Sequence, residues 1–473
     1  MSRARDETLV PDGTLDEQID AWRAYARRAR AVDAPDVDEL EDHLRDQVAD
    51  LVRSGLSERE AFLVAVGRLG ALDDVSREFA REHSERLWKQ LVLWDEPGTG
   101  PAGESVRRRS LVRALALAGG AALALKLPTL FGISFGGGSD GTVDESDVMF
   151  YLINVSALVL PFLGAYLALD RAMPWRRVLG MLVAPAAVLV AAANLYPYEP
   201  TGATAILTAI HLPVALWTLV GVAYVGGDWR SASRRMDFVR FTGEWVVYYA
   251  LVALGGGVLT GVVVAGFTAL GVDVTGFVSS WLVPCGAAGA VVVAAWLVEA
   301  KQAVVENVAP VLARVFTPLV TAVVLALLVA TLVRWDGADV DRGLLILVDV
   351  LLALVLGLLL YVVSAREPAA RPGAFDRLQL GLVVAALATD VVMLAAMLTR
   401  TAEYGLSPNK VAALGLDAVL LGNLVRAAML QRDFLRGRVR AAALERWQTT
   451  YLPVFGAWAA VVVVTFGPAF GFV

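Results

Sequence analysis

Five ionisable residues lie inside apolar stretches of this sequence that are long enough to cross a lipid bilayer. They are Lys126, His211, Asp349, Asp390 and Asp417. A charged side chain in the middle of a bilayer costs roughly a few kcal/mol unless it faces water or a partner, so such residues often mark a functional site. Carboxyl groups near a histidine can exchange protons or hold a cation. These residue types therefore point to proton or ion movement.

The depth of the five residues predicts that they form one polar layer. Counted from the predicted outer end of each span, they lie roughly six to ten residues deep, which at about 1.5 Å per residue is the outer half of the membrane. Asn423 and Arg426 lie about two and nearly three turns below Asp417 and could extend the layer into a polar track. The alternative is internal pairing, with Lys126 bound to one aspartate, which would lock helices together without transport.

The nucleotide-binding and zinc-protease motifs of soluble enzymes are absent from the sequence. It contains no GxxxxGK[ST] or HExxH, and its three histidines are His43, His83 and His211. The single cysteine, Cys285, excludes an intramolecular disulfide and argues against a thiol metal site. We therefore expect no enzymatic activity, no catalytic residue, no metal, no cofactor and no nucleic-acid partner.

The composition indicates a membrane protein. Of 473 residues, 57% are hydrophobic and 19% charged, which is more apolar than a soluble globular protein. Spans of about twenty apolar residues, each long enough to cross a bilayer as a helix, recur eleven times. They lie near residues 111–133, 148–169, 178–195, 204–226, 245–269, 276–298, 312–333, 343–364, 378–399, 409–430 and 450–471. We predict an all-α, polytopic membrane domain over residues 110–473.

The loop charges predict an orientation. If the N-terminus is inside, the inner loops carry seventeen lysines and arginines and the outer loops three, Arg342, Arg400 and Lys410. Positive residues concentrate on the cytoplasmic side, so the N-terminus should be cytoplasmic and the C-terminus extracytoplasmic. Arg, Ala and Val are abundant, which is typical of a GC-rich bacterial genome. We therefore predict a bacterial plasma (inner) membrane protein.

The sequence of residues 1–94 predicts a small cytosolic helical bundle. A linker is predicted over residues 95–109. An apolar stripe runs from Val37 to Leu51, and Ser57 with Glu60 forms a capping box for the next helix. This segment resembles the permease-prefix or HAAS-type domain, with Gly-Ala-Leu at residues 70–72 where that family usually has Gly-Asp-Pro. The resemblance implies a regulatory or interaction module that binds a cytosolic protein.

A second resemblance covers a turn between two late spans. Its residues are Arg400, Glu403, Tyr404, Gly405, Leu406 and Lys410. They are similar to the R-x-x-E-Y-G-L-[ST]-x-x-[KR] motif of a bacterial multi-pass membrane family of unknown function. Gly405 can end one helix, while Ser407 and Pro408 suit the N-cap and first position of the next. A helical hairpin is the simpler interpretation of the motif.

Glycine spacing marks one further span. Gly257 and Gly261 form a GxxxG, which predicts close helix packing and less often a hinge or a homodimer. Together these features lead to two hypotheses about function. The first is a transporter-like protein that moves a proton, an ion or a small amphiphile across the lipid bilayer, with the cytosolic bundle as regulator. The second is a membrane sensor or assembly protein that signals through the N-terminal domain.

Overall fold

The structure is a computed structural model, and it divides the chain into two compact units, Met1–Glu104 and Ser105–Val473. In the first unit it describes residues 15, 16, 19, 34–53, 57, 58, 61, 62 and 65. Beyond these it describes residues 101–134, 144–199, 201–300, 308–333, 342–364, 366 and 372–473.

The first unit contains helix α1 (Ala34–Arg53). Leu44, Val48 and Leu51 of the predicted apolar stripe are buried on one side of this helix, where they form a small core with Ile19 and Phe62. Residues three and four apart share a helix face, so the stripe buries one side of the helix. The rest of the predicted bundle and the predicted linker over residues 95–100 lie outside the described residues.

The second unit is built of helices that can cross a membrane, as the sequence predicts. Among the described residues, eleven helices are long and apolar enough, and no strand is present. They are α2 (Pro101–Lys126), α3 (Glu145–Asp170), α4 (Trp175–Leu195), α5 (Ala203–Tyr224), α6 (Ala232–Ala269), α7 (Thr275–Ala300), α8 (Val308–Val333), α9 (Arg342–Ser364), α10 (Ala374–Tyr404), α11 (Pro408–Leu435) and α12 (Ala441–Ala469). The all-α, polytopic fold class is confirmed.

Three helices begin at least nine residues earlier than hydropathy predicts. Helix α6 begins at Ala232 rather than 245, and α12 begins at Ala441 rather than 450. Charged and polar residues occur within the first ten residues of both helices, so an apolar window excludes these turns although the backbone is already helical. Helix α2 begins at Pro101, inside the predicted linker. Proline suits the first position of a helix, which explains this start.

The spans pack around several apolar cores, of which two are the largest. Helices α2, α3, α5, α6 and α7 surround one, and α8 to α12 together with the start of α6 surround the other. Helix α12 packs against both α5 and α11 and so joins the two groups. Because consecutive spans alternate in direction, the arginine-bearing loops at residues 171–174, 225–231 and 436–440 meet at one end of the bundle, here called the basic end.

Two spans contain π-helical turns next to a proline. In α4 the segment Leu179–Val183 precedes Pro185, and in α7 the segment Val278–Leu282 precedes Pro284. Proline lacks an N–H donor and its ring clashes with the carbonyl one turn earlier. The wider turn accommodates the ring inside a continuous span.

The glycines of α6 do not pack as predicted. A Cβ atom built on Gly255, Gly257 or Gly261 would have no atom of another element within 4 Å. The central window of this span is also unburied. Close packing of the GxxxG within the described chain is therefore wrong, because the second half of α6 extends away from its neighbours. Contact with a second copy stays a prediction.

Candidate functional site: a buried aspartate cluster

Three aspartates from three neighbouring helices meet inside the second core. Asp349 lies on α9, Asp390 on α10 and Asp417 on α11. The side chains of Asp349 and Asp417 interact directly, and Asp390 interacts electrostatically with both. The sequence singled out all three residues, and the structure brings them together. We call them the aspartate cluster.

Burial distinguishes the members of the aspartate cluster. Asp390 is 0% and Asp417 2% exposed, whereas Asp349 is half-buried. Among the described residues, neither carboxyl oxygen of Asp390 has a hydrogen-bond partner, and Oδ1 of Asp417 has none. A buried polar atom without a partner costs about 1–3 kcal/mol, so this arrangement is not explained by stability.

The surroundings of the aspartate cluster are apolar. Val348 and Leu352 flank Asp349, Met393 lies one turn beyond Asp390, and Leu420 lies one turn beyond Asp417. The hydroxyl of Thr389 donates to the carbonyl of its own helix at Ala385, 2.9 Å away, and so adds no polar link between helices. In such a medium three negative charges at short range repel strongly. The cluster must therefore share protons or bind a cation.

The other two predicted members of the polar layer lie elsewhere. Lys126 is at the end of α2, where its ammonium donates to the carbonyl of Ser280 and lies 4.9 Å from the ring centre of Trp281. His211 lies on α5, and its Nδ1 is 2.8 Å from the carbonyl oxygen of Leu207. Of the five residues expected in one layer, the structure therefore brings together only the three aspartates. Similar depth along a helix does not fix which helices touch or which way a side chain faces.

Asn423 and Arg426 do not form the predicted polar track along α11. Asn423 is fully buried and exchanges two hydrogen bonds of 3.2 Å with the amide of Gln448 on α12. The indole of Trp447 donates to the carbonyl of Asn423 at 3.2 Å. Arg426 faces outward instead. Asn423 thus fastens α11 to α12 through both its amide nitrogen and its amide oxygen.

A second polar group lies at the basic end, and most of its residues were not predicted from the sequence to be functional. Arg366 forms an ion pair with Asp376, and its guanidinium stacks 4.5 Å from the ring centre of Phe434. The buried amides of Gln379 and Gln431 border the same cavity of about 60 Å³. Within the described residues, Nε2 of each and Oε1 of Gln431 have no partner. Polar residues on the buried face of a span were the feature of the sequence that could have indicated this group.

The predicted turn between α10 and α11 is confirmed as a tight helical hairpin. Gly405 ends α10 with φ 74°, and Ser407 caps α11 by accepting from the backbone N–H of Lys410, with Pro408 in the first position. The ammonium of Lys410 donates to the carbonyls of Arg400 at 3.3 Å and Gly405 at 2.9 Å. It thereby satisfies carbonyls at the end of α10.

The remaining residues of the motif do not add a site here. Glu403 is exposed, and Tyr404 and Leu406 are 70% and 71% exposed. The ring of Tyr404 lies 5.6 Å from the ammonium of Lys410. The motif therefore describes a well-capped turn.

Comparison of the chain with models of known protein families, with characterised proteins and with solved structures gave no match. The resemblances to a permease-prefix domain and to a multi-pass family therefore stay predictions. Function is therefore inferred from the geometry of the second unit.

The aspartate cluster has the chemistry of a proton-binding site. Two carboxyl groups that approach each other can share one proton, because the protonated one donates and the ionised one accepts. In the part of the chain that the structure describes, no three His, Cys, Asp or Glu side chains are arranged to hold a metal ion. Sharing a proton requires only the carboxyl groups that already approach each other.

Proposed function

We propose that this chain is a transporter-like membrane protein that moves protons, with the aspartate cluster as the site that binds and releases them. The observation that carries the proposal is the convergence of Asp349, Asp390 and Asp417 on one apolar site with unpartnered oxygens. Buried ionisable groups of this kind are expensive in a membrane and typically serve ion or proton movement.

The polar group at the basic end forms one end of the proposed proton path. Gln379 and Asp390 are eleven residues apart on α10, which is about three turns and roughly 16 Å, so they lie on nearly the same helix face. Leu382, Val383 and Ala386 are buried between them. This apolar layer separates the cluster from the basic end in the present state. Proton movement therefore requires a rearrangement of α10 that opens and closes the layer.

A membrane sensor is the second candidate, and one observation favours it. Four well-formed cavities lie among the described residues, and no member of the aspartate cluster lines any of these four. A sealed cluster could change the packing of α9, α10 and α11 on protonation without passing the proton across. A sensor would respond to pH but would carry no flux.

The location and the N-terminal module belong to the same proposal. Loop charges support a bacterial plasma membrane, with the N-terminus and the basic end in the cytoplasm. We propose that the helical unit before α2 regulates the spans or docks a cytosolic protein. Its resemblance to permease-prefix domains supports this role.

Proton flux into liposomes tests the function. The purified full chain is reconstituted, a pH gradient is imposed, and the internal pH is followed with a trapped dye. We expect flux in the wild type and a loss of at least about tenfold in Asp390→Asn and Asp417→Asn, because an amide does not take up a proton at these pH values.

The matched control for that flux experiment is Asp228→Asn, which changes a half-exposed loop aspartate at the basic end. It should retain wild-type flux. Equal flux in all variants, or none in the wild type above empty liposomes, would contradict proton transport. Absence of flux together with a pH-dependent change in protease sensitivity would favour the sensor.

A further inference from the structure

Two cavities lie side by side along the first half of α6, and no member of the aspartate cluster lines either of them. The larger has about 620 Å³ and is bordered by α3, α5, α6, α7 and α12. The other has about 450 Å³ and lies where α3, α5 and α7 end and α6 begins. Volumes of this size are typical of sites for small ligands.

The larger cavity is apolar and aromatic. Trp217 and Trp245 border it with ring centres 4.6 Å apart, and Phe238, Tyr249 and Phe455 complete the aromatic wall. Both indole N–H groups are already engaged, Trp217 with the hydroxyl of Thr242 at 3.3 Å and Trp245 with the carbonyl of Val291 at 2.9 Å. The wall therefore offers a ligand apolar surface and few free donors. We call it the apolar cavity.

The smaller cavity is lined by charges of both signs in equal number. They are Arg171, Arg234 and Arg240, and Asp237, Glu244 and Glu299. Two pairs already form across the wall, Arg171 with Glu299 at 3.0 Å and Arg240 with Asp237 at 3.1 Å. Burial lowers the pKa of Arg171, but Glu299, Tyr224 and Asp170 together outweigh burial, and the net shift of the pKa is upward. We call it the charged cavity.

The charged cavity lies at the depth of lipid head groups. Arg171 directly follows α3, Tyr224 is the last residue of α5, and Glu299 is the next-to-last residue of α7. Ends of membrane spans lie near the boundary between hydrocarbon and head groups. On α6, Asp237 and Glu244 border the charged cavity, while the next residues, Phe238 and Trp245, border the apolar one. The two cavities therefore occupy adjacent faces of the same turns.

We propose that these cavities together bind one zwitterionic phospholipid, with the head group in the charged cavity and acyl chain in the apolar one. An anionic head group would meet three carboxylates, and a purely cationic one would meet three arginines. A head group that carries both a phosphate and an ammonium finds a complement for each, since guanidinium groups bind phosphate and carboxylates bind ammonium. This site is separate from the proton-binding residues of the proposed function.

Lipid binding to the intact chain tests the proposal. Full-length protein in detergent is titrated with short-chain phosphatidylethanolamine or, in a second arm, phosphatidylglycerol, and bound lipid is counted by native mass spectrometry. We expect the zwitterionic lipid to bind at least about tenfold more tightly, because breaking a buried charge contact typically costs more than tenfold in affinity.

Variants locate the binding site. Arg240→Gln and Glu244→Gln should weaken phosphatidylethanolamine binding at least about tenfold, and Ala287→Phe should do so by filling the apolar cavity. Arg432→Gln, which changes an exposed arginine of α11 also near the basic end, should have no effect. If a variant fails to fold, the lipid comparison in the wild type still decides the head-group preference.

Several results would overturn the proposal. Equal affinity for the two lipids contradicts the charged cavity as head-group site, and unchanged affinity in all three cavity variants contradicts the location. Asp390→Asn should bind lipid as the wild type does, since the aspartate cluster is elsewhere. If Asp390→Asn loses proton flux but still binds lipid, the loss concerns proton movement and not the lipid site.

Discussion

At the scale of single residues, the arrangement of the aspartate cluster destabilises the folded protein. Asp390 is completely buried, and both of its oxygens lack partners among the described residues. Functional sites commonly hold such unfavourable groups, and their removal then stabilises the protein while activity is lost.

Asp390→Leu should therefore raise the thermal unfolding midpoint. The expected gain in the free energy of unfolding is about 1–3 kcal/mol, the cost of an unsatisfied buried polar group. Unfolding in detergent at neutral pH, followed by intrinsic fluorescence, measures it. Leu382→Ala is the comparison, because it removes apolar packing about two turns away on the same helix. It should lower the midpoint instead. A lower midpoint in Asp390→Leu would show that the carboxyl is stabilising.

Asn423 should behave in the opposite way, because its amide is paired. Asn423→Leu leaves the amide of Gln448 buried without a partner, so we expect a loss of about 1–3 kcal/mol. Changing both residues to leucine should recover a large part of that loss. A double-mutant cycle of unfolding midpoints gives the coupling. Additive losses would mean that the two amides do not depend on each other.

The sequence identified the three aspartates because charge in an apolar span is visible without a structure. It did not identify Gln448, which falls before the apolar window of α12, or exclude Lys126 and His211 from the cluster. Depth along a helix follows from counting residues, whereas the direction of a side chain depends on which helices pack together. That packing is a long-range property that a single sequence does not encode in its periodicity.

At the scale of elements, the hairpin between α10 and α11 is fixed by local chemistry. Gly405 adopts φ 74° and ψ 176°, a conformation essentially restricted to glycine. Gly405→Ala should therefore destabilise the protein by about 1–3 kcal/mol, measured as a lower unfolding midpoint. Gly381→Ala is the matched control, because that glycine lies inside α10 with open space around it. It should be neutral or slightly stabilising. Equal effects of the two substitutions would contradict the strained conformation.

The span positions and this hairpin were predicted because both depend on nearby residues. Apolar length defines the spans, and Gly-x-Ser-Pro defines the turn. The extension of α6 to Ala232 and the π-helical turns in α4 and α7 were not predicted. Polar helix turns outside the hydrocarbon give no hydropathy signal, and a π-helical turn depends on how the neighbouring proline is accommodated.

At the scale of the whole molecule, the orientation remains a prediction with a direct test. In a Cys285→Ala background, a cysteine replacing Val473 should react with a membrane-impermeant maleimide added to intact cells. A cysteine replacing Asp228 should react only after the membrane is opened, because the basic end should face the cytoplasm. Mass-shift labelling on gels measures both. The reverse pattern would place the N-terminal unit outside.

Proton movement through the aspartate cluster is the central claim, and the current that follows a pH step measures it most directly. Full-length protein is reconstituted in liposomes adsorbed on a solid-supported membrane, and the external pH is lowered. We expect an inward transient current in the wild type that Asp390→Asn and Asp417→Asn abolish and Asp228→Asn leaves unchanged. A wild-type current no larger than that of empty liposomes, or one that survives both cluster substitutions, would contradict it.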